Sequence, residues 1–503
     1  MIKQLVIGML LFLCLHNLQA QDSLGFAHRA TVKERADLSK AIRNSYYSNP
    51  AFQPFRFHHS ATTLELQYFS DKKEHYNLQE GSGEDGFRIH TNSYLKQPFP
   101  NVTLWGSAQY ENLRIKRVQF NETSDIDLLY PYLTSDSVGG DLRQENYQFS
   151  GGIAKEQGKW VYGTEFSYRA VQSFRRIDPR QNNVSSHIHW NSSVGYQLWK
   201  NYQLAGTIGL QYYKQENAVR FNHVLGRPSV QFLNGLGAYN ELMAGFSGAY
   251  PKVYYDYVGL EGKLSFLPKN EKGLFMETSL KQGLASRILP RSPLDANQWT
   301  DQQLGAKLGY TNQSGAWNYG VHASLDLQTK IGKESLFAND GVSNGYSKIS
   351  EKSTYRYYNF RYRLELLLGQ EQWAIKPYAI YQQFKEQYAS PFREQAVDRL
   401  SLGLQSQYFY ELKNGLLGFN LTLQQQQVLN NRSTFNGVKE NSGIDYLLKT
   451  NYQYLIMAPF TMAGEVRYDW KMSSQWKPFI AGQVLSASKI QQERFAVRLG
   501  MLF

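Results

Sequence analysis

Apolar and polar residues alternate with a period of two along most of the chain. In 495–503, Phe495, Val497, Leu499, Met501 and Phe503 fall on one face, and Ala496, Arg498, Gly500 and Leu502 on the other. In 460–471 the first set is Phe460, Met462, Gly464, Val466, Tyr468 and Trp470. The second is Thr461, Ala463, Glu465, Arg467, Asp469 and Lys471. The stretch 354–368 divides likewise, with Tyr358, Phe360, Tyr362, Leu364, Leu366 and Leu368 against Asn359, Arg361, Arg363 and Glu365. A helix would mix such sets, whereas a strand separates them. The pattern recurs at 160–168, 400–404 and 417–423 and predicts strands with one apolar and one polar face.

The connections alternate too. Tight turns are predicted at 156–159, 199–201, 268–273, 313–316, 369–372 and 411–415. Between them lie long polar segments at 114–144, 172–185, 215–253, 286–298, 329–353, 385–396 and 428–442. Short periplasmic turns alternating with long extracellular loops predict an all-β, transmembrane, antiparallel up-and-down barrel over 61–503. Termini on the periplasmic side require an even strand number, about 18, with 14 or 16 as the alternatives. That count places 476–486 in a long last extracellular segment, although its residues also suit a strand. The parity therefore leaves one assignment between 440 and 490 open.

Composition supports this reading. The 36 Tyr, 28 Phe and 9 Trp match the aromatic girdles of a barrel. The negative mean hydropathy, −0.51, follows when every second residue faces a wet lumen. Residues 1–20 read as a secretory signal, with Lys3, an apolar run too short to span a bilayer, and Leu18-Gln19-Ala20 before Gln21. The sole cysteine, Cys14, lies within it, so the chain from Gln21 has no disulfide or thiolate metal site. The net charge of +12 is scattered rather than clustered, and with a secretory signal it argues against nucleic acid. It suits an anion-favouring lumen or a surface meeting lipopolysaccharide. The terminal aromatic strand suits recognition by the barrel assembly machinery. Residues 21–60 stand outside the wall, as a lumen plug or a periplasmic leader. They contain an amphipathic helix over 32–44, with Leu38, Ala41 and Ile42 on one side, broken at Ser48-Asn49-Pro50-Ala51.

Inward charges are the candidate selectivity residues: Arg361, Arg363, Glu365, Glu465, Arg467, Asp469, Lys471 and Arg498. They either tune solute passage or neutralise one another across strands. His187 and His189 would point the same way about 6.5 Å apart, as a metal pair lacking a third ligand or as two polar lumen residues. The acidic loop residues Glu122, Asp125, Asp127, Asp136 and Asp141 lack calcium-loop spacing and read as solvated. No nucleophile motif, phosphate loop or zinc helix is present, so neither an enzyme nor a cofactor is expected.

Two stretches resemble known families. Asn121-Glu-Thr-Ser-Asp-Ile-Asp-Leu-Leu-Tyr-Pro-Tyr132, Asp136-Ser-Val-Gly-Gly140 and Glu145-Asn-Tyr-Gln-Phe-Ser-Gly-Gly152 are similar to a Bacteroidota family of outer-membrane barrels of unassigned function. Tyr168-Arg169-Ala170 and Arg176-Ile177-Asp178-Pro179-Arg180 fit the same pattern. The resemblance implies an accessory role beside a TonB-dependent receptor and marks Asp125, Tyr130, Pro131, Tyr132 and Asp136 as the loop motif. Asn49-Pro50-Ala51 also resembles the hatch tripeptide of the long-chain fatty-acid transporter superfamily, which implies a plug role for these three residues. The expected function is a passive or accessory outer-membrane channel for small solutes. The alternative is a closed scaffold whose long loops grip a receptor or surface lipoprotein.

Overall fold

The computed structural model describes residues 22–222, 230–239, 252–289, 294–339, 346–471 and 476–503. Among them, eighteen antiparallel strands form one closed sheet. Strands adjacent in sequence pair throughout. The first, Ala61–Lys73, pairs with the second, Glu84–Phe99, and with the last, Gln492–Leu502, which closes the barrel. At the seam Leu66 stands opposite Leu499, and Gln67 opposite Arg498.

The predicted period sets the two surfaces. Phe495 and Val497 are exposed on the outer wall, whereas Ala496 between them is 2% exposed inside. Leu280, Leu284, Leu402, Met462 and Val466 extend the outer apolar surface around the barrel. In water this surface would be costly; against hydrocarbon it is matched. Aromatic residues ring the short-turn end. Trp160 packs on Tyr196, Trp199 on Phe266, Trp317 on Trp373, and Tyr468 on Trp470. This is the expected interfacial girdle.

Four sequence expectations are corrected. Lys477–Ala487 is a strand paired on both edges, not part of a long loop. Even parity survives because Gly443–Leu455, before it, is a helix. The strands also overrun the expected loops. Phe392–Leu412 follows Trp373–Ala389 after only Ser390 and Pro391, and Tyr346–Gly369 begins inside the expected 329–353 segment. Beyond the apolar band both strand faces are polar, so alternation disappears while the hydrogen-bonded ladder continues. Finally, the helix expected over 32–44 is broken at Asp37, whose side chain accepts from the Ser39 N–H. Helix α1 is Asp22–Ala36, a single 3-10 turn covers Leu38–Lys40, and α2 is Ala41–Tyr46. The signal segment 1–20 and parts of 215–253, 286–298 and 329–353 lie outside the described residues.

Candidate functional site

An 18-stranded barrel is wide enough to hold an aqueous channel unless something fills it. Here the chain itself occupies both ends. At the short-turn end the segment after α1 enters the lumen. Ile42, Tyr46, Tyr47, Ala51 and Phe52, all at most 2% exposed, pack on wall residues Val161, Ala205, Leu267, Phe275 and Leu367. The Asn49 carboxamide accepts from the Ala51 N–H at 3.1 Å and donates to the hydroxyls of Thr207 (3.0 Å) and Ser265 (3.2 Å). Pro50 then opens a 3-10 turn, Pro50–Phe55, against the wall. Gly163 permits that approach, since a Cβ there would lie 2.5 Å from the Pro50 carbonyl oxygen and 2.8 Å from Ala51 N. Asn49, Pro50 and Ala51 thus lie against the inner wall at the short-turn end.

Polar contacts tie the segment to the rim. Lys33 of α1 pairs with Glu411 at 2.8 Å and Glu371 at 3.3 Å, and Arg29 with Glu411 at 2.7 Å. Burial disfavours the Lys33 ammonium, but these carboxylates outweigh it and raise its pKa. Arg43 pairs with Glu271 of the short turn 269–272. Buried Glu34 meets the rings of His58 (2.7 Å) and His59 (3.1 Å) and accepts the His58 N–H. Burial opposes its ionisation, yet these hydrogen bonds hold its carboxyl below the usual range. Glu34, His58 and Glu271 bring ligand atoms within 4.8 Å of one another, but Arg43 and Lys40 already neutralise Glu271 there.

At the opposite end the loop 119–139 folds inward, and the expectation of a solvated acidic loop fails for Glu122 and Asp136, whereas Asp127 is exposed. Residues 119–139 carry a one-turn helix, α3 (Ile126–Leu129), and Glu122, Leu129, Tyr132 and Asp136 are fully buried. Asp125, in the left-handed region at φ 53°, binds Arg169 at 2.7 Å and accepts from Tyr213 at 2.9 Å. Tyr130 donates to Glu386, and Asp136 accepts the Val138 and Gly139 N–H groups. Arg175 pairs with Glu122 at 2.7 Å and lies 3.5 Å from Asp136. Burial and the adjacent Asp136 push Glu122 well above the ordinary carboxyl range, against the pull of Arg175. Helix α4 (Gly443–Leu455) crosses the same mouth, where Asn451 accepts the Leu78 N–H at 2.9 Å. Helix, loops and wall share one apolar cluster containing Leu78, Leu129, Tyr132, Phe232, Trp299 and Leu447.

Most of the lumen charges singled out in the sequence neutralise one another. Glu365 takes Arg363 at 2.5 Å, Lys376 at 3.0 Å and His322 at 3.0 Å. Glu465 takes Arg498 at 2.6 Å, and Asp469 takes Arg467 at 2.7 Å. Arg361 is exposed on the lumen face of its strand, and Lys471 follows the strand Phe460–Trp470 at a short turn. His187 and His189 both face inward. His187 packs on Tyr213, and His189 lies 3.9 Å from Glu261. Between the inward loops and the wall from Gly273–Leu289 to Phe392–Leu412 lies a cavity of about 610 Å³. Of its charged residues, Lys281, Asp301, Lys330, Glu386 and Arg399 were not singled out in the sequence. Each is an isolated charge on its own strand, and only the inter-strand register brings them together.

The barrel is similar to several solved outer-membrane structures. The ferric preacinetobactin receptor BauA of Acinetobacter baumannii shares 7% identity at TM-score 0.40, over 88% of this chain and 80% of that one. The ferric-catecholate import receptor Fiu of E. coli K12 shares 7% at TM-score 0.39, over 88% and 81%. The outer-membrane protein OpdK of Pseudomonas aeruginosa shares 9% at TM-score 0.33, over 88% and 99%. No curated protein is detectably similar in sequence. Residues 50–503, the last turn of the inserted segment and the whole wall, match a family of unknown function (DUF6850), and the chain belongs to that family.

Proposed function

We propose that this protein is an outer-membrane solute-uptake barrel whose resting state is closed, and that passage requires withdrawal of the N-terminal segment from the periplasmic end. The observation that carries this reading is the docking of Ile42, Tyr46, Tyr47, Ala51 and Phe52 on the inner wall. A stretch anchored mainly by one small apolar cluster and rim ion pairs is a separable closure, whereas the wall is held by continuous strand ladders. An accessory role beside a TonB-dependent receptor is the form of this function that the family resemblance implies.

Liposome swelling with the chain from Gln21 and with a variant lacking 21–57 tests the reading. Solute entry should rise when the segment is removed. Absence of flux through both chains would overturn transport. A second reading, a closed scaffold for a receptor or surface lipoprotein, draws on the apolar cluster that locks the inward loops to the wall. It expects co-purification of such a partner from native membranes under gentle detergent, and a free monomer there would count against it.

A further inference from the structure

Charged groups around the 610 Å³ cavity differ from those elsewhere in the lumen. The acids are Glu80, Asp127, Asp301 and Glu386, and the bases are Lys281, Lys330 and Arg399. Among the described residues, none of the seven forms an ion pair within 4.0 Å.

Their geometry shows the pairing to be bypassed rather than out of reach. Lys330 stands directly opposite Asp301 in the strand register. Its ammonium turns instead to the carbonyls of Asp127 (2.7 Å) and Tyr130 (3.2 Å), pinning the inward loop. Asp301, 3% exposed, receives only the amides of Gln303 (3.0 Å) and Gln328 (2.9 Å). Arg399 donates to the Leu455 carbonyl, while its Nε is buried without a partner. Lys281 rests over the Tyr257 ring, 5.6 Å from its centroid, and makes no hydrogen bond among the described residues. Burial, and Asp127 nearby, raise the Glu80 carboxyl above its usual range against the opposing pull of Lys73.

Asp301, Lys330 and Glu386 are buried; charges withdrawn from water and left unpaired are costly, and a ligand that supplies the counter-charge removes that cost. A neutral solute would compensate none of them. A pure anion would meet four carboxylates, and a pure cation three bases. The volume lies in the range of small-ligand pockets, roughly 300–1,000 Å³. The remaining lining is made of amides, such as Gln303, Gln328 and Gln395, and the rings of Tyr357, Phe384 and Tyr454. Amides pair with peptide groups, and rings cover small apolar side chains.

We propose that this cavity binds a short peptide as its zwitterion. Arg399, at one side of the cavity, meets the carboxylate, and Asp127 and Asp301 meet the ammonium. The site gives the transport reading its solute class, but binding here does not depend on flux.

Calorimetry on the detergent-folded chain from Gln21, with trialanine as the probe, tests the proposal. Trialanine should bind, and N-acetyl-trialanine amide, which lacks both end charges, should bind at least about tenfold more weakly. That comparison uses the unmodified protein, so no folding defect can mimic it. Asp301→Asn and Arg399→Gln should each weaken trialanine by about tenfold. Equal binding of the blocked peptide, or no binding of trialanine, would overturn the proposal. Trialanine binding without liposome entry would remove the transport reading and leave the site standing. Entry of neutral sugars without trialanine binding would do the reverse.

Discussion

Gly163→Ala is the sharpest probe of how the N-terminal segment is seated. Gly163 lies in the wall strand Trp160–Phe174, whose ladder to both neighbours is made by backbone groups that alanine leaves intact. The added Cβ would stand 2.5 Å from the Pro50 carbonyl oxygen and 2.8 Å from Ala51 N, about 1 Å inside ordinary contact. Both neighbours are backbone atoms, so no side-chain rotation relieves the overlap. The segment must move away from the wall. That strains the Asn49 hydrogen bonds to Thr207 and Ser265, about 0.5–1.5 kcal/mol each. Overpacking alone costs about 1–3 kcal/mol. A loss of about 2 kcal/mol would raise the undocked population roughly thirtyfold. Limited proteolysis from the short-turn side reads that population as faster cleavage between 22 and 60, with unchanged barrel unfolding. Gly151→Ala is the control, since nothing lies within 4 Å of a Cβ there. Equal protection of wild type and Gly163→Ala would refute the reasoning.

Other outcomes follow from the polar contacts. The Glu34 carboxyl is held below its ordinary range, so its contribution is complete above the unfolded value, about 4.3, and is lost as pH falls through the lower folded value. Protease protection of the segment should therefore fall in acid below about pH 4, and Glu34→Gln should flatten that dependence. Glu411→Gln removes the shared partner of Arg29 and Lys33. These pairs are partly exposed and worth about 0.2–1 kcal/mol each, so protection of α1 should drop slightly and lose its salt dependence. Arg175→Met leaves Glu122 and Asp136 buried without their cation, which should destabilise the inward loop by about 3–5 kcal/mol. A lower melting temperature in detergent, with the strand content retained, would show it.

The wall was legible because lipid on one side and water on the other impose a strict period of two, as at 460–471 and 495–503. Legibility ended where that asymmetry ends. Above the apolar band Ser350, Glu351, Lys352 and Ser353 are all exposed, so the strand Tyr346–Gly369 extends without an alternating signature. Helix α4 did carry a local signal: Ile444, Leu447 and Leu448 at helical spacing behind Ser442, whose hydroxyl accepts the Asp445 N–H. The parity argument left that region open without resolving it. The seat of Asn49, Pro50 and Ala51 was suggested by resemblance, but the small wall residue that admits them, Gly163, is distant in sequence. Lumen charges spaced two apart on one strand could be read from the chain and prove mostly self-neutralised. The unpaired set around the cavity depends on strand register and on a loop that folds inward, neither of which a single strand encodes.

The account's central claim is that the N-terminal segment seals the periplasmic end. The chain from Gln21 contains no cysteine, so Arg361→Cys places a single exposed thiol on the lumen face of the wall. Its labelling by a membrane-impermeant maleimide added from the short-turn side measures the seal directly. The account predicts slow labelling in the full chain and a rate approaching that of a surface cysteine once 21–57 are removed. Equal rates in the two chains would contradict it.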